Sequence, residues 1–147
     1  MLNTKTDVFA DVASSVLETM VFAMTERLEA WPAFQADSYL LARIDYSGYR
    51  CGELAILAPI SLCQEWADMM TGDASTEQVY DALAEVINTI GGNWLTEAFG
   101  ASESMKLHPP QVSLADQNQW NRLAEDPTVV LLSVDDNPFI LHARALD

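Results

Sequence analysis

Two long segments of the chain carry apolar residues at helical spacing. The first segment carries Phe9, Val12, Ala13, Val16, Met20 and Met24. This period predicts a helix from about Thr6 to Glu29, ended by Trp31–Pro32 because the residue before a proline avoids the α region. The second segment carries Val79, Leu83, Val86, Ile87, Ile90 and Trp94. It predicts a helix that opens at Ser75 or Thr76 and runs to about Phe99.

Other segments alternate or run apolar over the length of a strand. Residues 38–46 and 52–58 predict two strands joined by a hairpin at 47–50. Residues 111–115, 128–134 and 139–146 predict three more, with the turn between the last two at 135–138. Between these two groups of strands, Ser61 and Gln64 have capping-box spacing and predict a short helix that Gly72 ends. Ser75 and Gln78 repeat this spacing at the start of the second long helix. Residues 116–127 are polar and predict a loop or a single helical turn.

The predicted order is helix, two strands, short helix, long helix and three strands, which indicates a degenerate repeat of a long helix followed by a strand meander. Ser14 and Glu18 in the first helix echo Asp81 and Glu85 in the second, whereas Val21 stands where the second helix has Asn88. We therefore predict an α+β, two-layer fold. A mostly antiparallel sheet would have both long helices packed on one face, in a single domain over residues 1–147.

Composition excludes several classes of partner. The 147 residues carry a formal net charge of −15, which argues against binding to nucleic acid or to an anionic membrane. The basic residues are scattered along the sequence and predict no basic patch; they are Lys5, Arg27, Arg43, Arg50, Lys106, Arg122 and Arg144. No signal peptide and no apolar run of membrane-spanning length is visible, so we expect a cytoplasmic protein. Cys51 and Cys63 are expected to be small buried hydrophobes, with a disulfide as the minor alternative.

The polar face of the second long helix is unusual. At about 100° per residue, Asp81, Glu85, Asn88 and Gly92 fall on one narrow stripe of this helix, opposite its apolar face. Because this helix is the third predicted along the chain (α3, about 75–99), we call this set the α3 stripe. An exposed helical carboxylate is usually only solvated. Asn, however, is less favoured inside helices than Gln or Lys, and Gly91 and Gly92 would each cost roughly 1 kcal/mol relative to Ala. The stripe therefore indicates a surface that approaches another molecule closely.

Asp81-x-x-x-Glu85-x-x-Asn88, the glycines that follow and Pro109–Pro110 resemble the motif of the CheC/FliY/CheX family of response-regulator phosphatases. The resemblance extends over the flanking segments and covers nearly the whole chain. Only one full motif is present, as in the single-site CheX branch. Between Asn88 and the two prolines lie 20 or 21 residues, slightly fewer than in the family, so either proline can correspond to the family's.

The resemblance implies hydrolysis of the aspartyl phosphate of a CheY-like receiver domain. Asn88 would orient the attacking water and Glu85 would pair with a lysine of the partner, as the two catalytic residues. Asp81, Gly92, Pro109 and Pro110 would contact the partner. No cofactor of the chain's own is implied, because the receiver domain supplies Mg²⁺, and a homodimer is expected.

Two other classes of function remain open. The same fold would serve as a module that binds a receiver domain or another signalling protein without hydrolysis, or as a dimer-forming structural subunit. Other chemistries have less support, since His108 and His142 lie in no metal-spaced cluster. No nucleophile elbow, phosphate-binding glycine loop or dinucleotide fingerprint is present either.

Overall fold

A computed structural model describes residues 5–30, 38–48, 50–100 and 105–145. Four helices accompany one seven-stranded sheet in the described residues. The helices are α1 (Lys5–Met20), α2 (Ile60–Thr71), α3 (Thr76–Phe99) and α4 (Gln117–Ala124). The strands are β1 (Thr25–Arg27), β2 (Tyr39–Ser47), β3 (Gly52–Pro59), β4 (Lys106–Leu107), β5 (Gln111–Leu114), β6 (Val130–Val134) and β7 (Asn137–Ala145). None of the helices described is long and apolar enough to span a bilayer.

The sheet is antiparallel throughout and consists of two related halves. Hairpins β2–β3 and β6–β7 meet where β3 pairs with β7 at the centre of the sheet. The strand that follows α1, β1, pairs with β6 of the other half, and the strands that follow α3, β4 and β5, pair with β2. Each hairpin is thus flanked by a strand from the opposite half. This arrangement confirms the predicted repeat and the predicted α+β fold.

The main core lies between the sheet and the helices α1, α2 and α3. The predicted apolar face of α3 is buried throughout, with Val79, Leu83, Val86, Ile87, Ile90 and Trp94 all in the core. Alternate residues of β2 and β3, including Ile44 and Ile56, enter the core from the sheet. Because burying a large apolar side chain contributes roughly 1.5–3 kcal/mol, this face fixes α3 on the sheet and leaves its opposite face towards solvent.

A smaller apolar cluster lies on the other face of the sheet, beneath α4. Trp120 of α4 packs against Tyr39 with ring centroids 5.1 Å apart. The helix begins with a full capping box, in which the Asp116 side chain accepts from the Gln119 backbone N–H and the Gln119 side chain accepts from the Asp116 N–H. The prediction of a loop or one turn here was wrong, because it overlooked this capping pattern.

Helix α1 ends at Met20, nine residues before the predicted end at Glu29. Phe22 takes a left-handed conformation with φ 57°, which redirects the chain. The chain then forms β1, whose backbone pairs with β6 from the far end of the sequence. Trp31–Pro32 lies outside the described residues.

The predicted helix starts were right within a residue, but their capping boxes do not form. Helix α2 begins directly after Pro59 with no side-chain cap, and ends at Gly72 with φ 74°, as predicted. Ser75 is the N-cap of α3, yet its own N–H and hydroxyl donate to Asp73.

The predicted strands are all present, with small changes at their ends. The turn of the last hairpin is formed by Asp135 and Asp136 alone, both left-handed, whereas Asn137 and Pro138 belong to β7. The first hairpin is present too, although Tyr49 of its turn lies outside the described residues.

Candidate functional site

Helix α3 presents the predicted polar stripe on its solvent side. Asp81, Glu85, Asn88 and Gly92 are all exposed, in one line along the helix. Ala82 beside them is buried. The stripe therefore lies on a helix whose other side is packed on α1, α2 and the sheet.

The polar side chains of this stripe have no bonding partner among the described residues. In the parts of the chain that the structure describes, the side chains of Asp81, Glu85 and Asn88 make no hydrogen bond and no ion pair. Their neighbours differ: Thr89 donates to the Glu85 carbonyl at 2.9 Å, and Asn93 donates to the Thr89 carbonyl at 2.8 Å. The carboxylates and the amide of the stripe are thus available to another molecule.

The two adjacent glycines of α3 have different environments. A Cβ on Gly91 would lie 3.2 Å from both terminal methyl groups of Leu107, so close packing of α3 on β4 accounts for this glycine. Gly92 is exposed, and a Cβ there would meet nothing within 4 Å. Nothing in the described fold requires a glycine at position 92, although it costs about 1 kcal/mol relative to alanine.

The two prolines lie elsewhere, in the connection between β4 and β5 at the edge of the sheet. Pro109 lines a groove with Arg43, Asp45 and Glu53, which belong to the sheet face away from the long helices. No residue of α3 lines this groove. Asp81, Glu85, Asn88 and Gly92 lie together on α3, whereas Pro109 and Pro110 lie in the connection between β4 and β5, two strands that both contact this helix.

His108 precedes the prolines and is held within the fold. Its Nε2 lies 2.8 Å from the Ser47 hydroxyl, and its backbone N–H donates to the Asp45 carbonyl at 2.8 Å. These contacts fasten the β4–β5 connection to the end of β2. Among the described residues, no group of three or more His, Cys, Asp or Glu is placed to hold a metal ion.

The basic residues are less scattered than the sequence predicted. Arg43, Arg122 and Arg144 line one groove on the sheet face opposite α1 and α3. They come from β2, α4 and β7, so the strand register and the placement of α4 bring them together. No signal in the sequence indicated this groove.

A comparison with protein families matches residues 40–132, more than half of the chain, to the family described as chemotaxis phosphatase CheX. The chain belongs to the CheX family. The matched range includes all of α3 with its stripe, and so supports the resemblance drawn from the sequence.

Solved structures share the CheX fold along nearly the full chain. CheX from Vibrio vulnificus is 14% identical with a TM-score of 0.72, covering 98% of this chain and 99% of that one. A chemotaxis protein CheX from Desulfovibrio desulfuricans is 15% identical with a TM-score of 0.69, covering 96% and 98%. CheX in a CheX–CheY–BeF3–Mg²⁺ complex from Borrelia burgdorferi is 19% identical with a TM-score of 0.66, covering 98% and 99%. No curated protein matches the chain.

Proposed function

We propose that this CheX-family protein hydrolyses the aspartyl phosphate of a CheY-like receiver domain in chemotaxis or a related two-component pathway. The observation that carries the proposal is the exposed pair Glu85 and Asn88, which have no side-chain partner among the described residues and lie on a helix fixed by its buried face. The Borrelia burgdorferi structure, a complex of CheX with CheY, supports a receiver domain as the class of partner.

The proposed reaction is attack of water on the phosphorus of the acyl phosphate. The bond from phosphorus to the aspartyl oxygen breaks, the aspartate leaves as a carboxylate, and inorganic phosphate is released. Phosphoryl transfer depends mainly on positioning and charge stabilisation. The Asn88 amide suits the positioning of water, because it offers one acceptor and two donors and carries no charge that would repel phosphoryl oxygens.

The remaining stripe residues would hold the two proteins together. Glu85, one helical turn before Asn88, would form a charge-assisted hydrogen bond with a lysine of the receiver. Asp81 would extend this acidic contact, and Gly92 would let the partner approach the helix backbone. Pro109 and Pro110, in the connection between β4 and β5, would also contact the partner. The chain would hold no cofactor of its own, since the receiver brings the Mg²⁺ that neutralises phosphoryl oxygens.

The proposal includes a cytoplasmic homodimer as the working form, as the resemblance implies. Light scattering of the purified chain tests this part separately. A mass of one chain at micromolar concentration would contradict the dimer and leave the proposed chemistry unaffected.

The deciding experiment measures the decay of phosphorylated CheY-like receiver domains with the wild-type chain, Asn88→Ala and Asn93→Ala. Asn93 is the matched control, an exposed asparagine on the same helix whose amide binds its own backbone. We expect wild type and Asn93→Ala to accelerate decay equally, and Asn88→Ala to lose about two orders of magnitude in rate. Receiver binding without accelerated decay would instead indicate a non-catalytic binding module.

A further inference from the structure

A groove of about 320 Å³ lies on the face of the sheet opposite α1 and α3. Its lining includes three arginines, a histidine and apolar side chains: Arg43, Arg122, Arg144, His142, Ala55 and Leu123. This volume is within the range of small-molecule sites. The groove and the α3 stripe lie on opposite sides of the sheet.

The register of the sheet explains why the basic side chains meet. Ala55 of β3 lies opposite both Arg43 of β2 and His142 of β7. Arg144, two residues after His142, is on the same face of β7, and Arg122 of α4 also lines the groove. Three of the seven basic residues of a chain with net charge −15 are therefore concentrated in one groove.

Two carboxylates, Glu53 and Asp126, also line the groove, so its three arginines keep only a small excess of positive charge. The Oδ2 of Asp126 accepts from His142 Nε2 at 2.8 Å, and its Oδ1 accepts from the Thr128 N–H and hydroxyl at 2.8 and 2.6 Å. Glu53 lies opposite Arg144 in the strand register, yet the two form no ion pair. Throughout the described residues, Arg43, Arg122 and Arg144 have neither an ion pair nor a hydrogen bond.

Unpaired guanidinium groups that converge are suited to an anion, because each offers a planar fork of donors that matches a carboxylate or a phosphate. The apolar side chains of Leu41, Ala55 and Leu123, which line the same groove, suit a short apolar part of the same ligand. We propose that this groove is a binding site for a small anion that carries phosphate or carboxylate groups. The proposal is independent of the chemistry at the α3 stripe.

The test titrates the full chain with pyrophosphate and, separately, with succinate at low ionic strength, followed by calorimetry. The two probes distinguish a phosphate-selective from a carboxylate-selective site. We expect Arg144→Gln and Arg43→Gln each to weaken binding about tenfold or more, while Arg27→Gln, outside the groove, leaves it unchanged. Thermal unfolding of each variant establishes that the fold is retained.

Amide chemical shifts locate the binding site. Pyrophosphate or succinate should shift Ala55, His142 and Arg144, and should leave Glu85 and Asn88 unmoved. Absence of binding by both probes would overturn the proposal, as would equal weakening by Arg27→Gln, which would indicate a general charge effect. The proposal would also be overturned if the wild-type chain bound neither probe and Arg144→Gln dissociated a dimer. The groove would then be an interface between copies of the chain.

Discussion

Glu18 Oε1 accepts a hydrogen bond from the Thr25 hydroxyl at 3.2 Å, and so ties the end of α1 to β1. Glu85 holds the equivalent place in the second half of the repeat and has no such partner in the described structure. Val21, at the place of Asn88, is 5% exposed and belongs to the core. In the first half, the two positions equivalent to Glu85 and Asn88 therefore contribute to the fold through a hydrogen bond and a buried side chain.

This contrast predicts that only one of the two glutamates matters for activity. Glu85→Gln should slow receiver dephosphorylation by about tenfold or more, because a neutral amide loses the charge-assisted bond proposed with the partner's lysine. Glu18→Gln should leave the rate unchanged. The decay of the phosphorylated receiver measures both, and equal losses in the two variants would contradict the assignment of the site to α3.

Gly92 allows the fold and the proposed partner contact to be separated. Gly92→Ala should raise the free energy of unfolding by up to about 1 kcal/mol, because alanine is the better helix former and a Cβ there meets nothing. The same variant should weaken the receiver complex, because the added methyl group keeps the partner from the helix backbone. Urea denaturation measures the first effect and receiver titration the second.

Gly91→Ala is the matched control, since its Cβ would press on Leu107. We expect it to gain less stability than Gly92→Ala and to leave receiver binding unchanged. If Gly92→Ala bound the receiver as tightly as wild type, close approach at this position would be refuted.

The α3 stripe was predictable from sequence because it depends on one local property, the helical period. Once Val79, Leu83 and Ile90 are buried, the positions of Glu85 and Asn88 follow from the geometry of a single helix. The two hairpins were predictable for a similar reason, because each hairpin joins two strands that are neighbours in the sequence.

Features that depend on distant parts of the chain were not predictable. The end of α1 is set by the pairing of β1 with β6, more than 100 residues away in the sequence. The apolar period, which continues to Met24, had predicted a longer helix. The groove of Arg43, Arg122 and Arg144 needs the register of β2, β3 and β7 and the placement of α4. Capping patterns were ambiguous, since Ser75 with Gln78 forms no box while Asp116 with Gln119 does.

The two-aspartate turn between β6 and β7 offers a stability test. Asp136 has φ 67°, a left-handed conformation that glycine adopts without the cost of a Cβ. Asp136→Gly should therefore raise the free energy of unfolding by about 0.5–1 kcal/mol, measured by urea denaturation. It also creates the Asp-Gly sequence that such hairpin turns prefer.

Asp135 is the control for that turn, because its φ is also positive, at 49°, but its side chain accepts a hydrogen bond. Its Oδ1 accepts from the Met24 N–H at 2.8 Å, which holds the segment after α1. Asp135→Gly should thus lose stability. A gain equal to that of Asp136→Gly would show that this hydrogen bond contributes nothing.

Cys63 is fully buried, and burial raises the pKa of its thiol to about 12 from 9.0. Because the folded state favours the neutral thiol, this stabilisation is complete below pH 9 and is lost as the pH rises from about 9 to 12. The free energy of unfolding of wild type should therefore fall more steeply over this window than that of Cys63→Ala. The comparison between the two chains cancels the lysines and tyrosines that titrate in both.

A disulfide-exchange reagent at pH 8 should likewise leave Cys63 unlabelled until urea unfolds the chain, since the thiolate is the reactive form. Labelling of Cys63 at the same rate in the native and the unfolded chain would refute its burial on the inner face of α2.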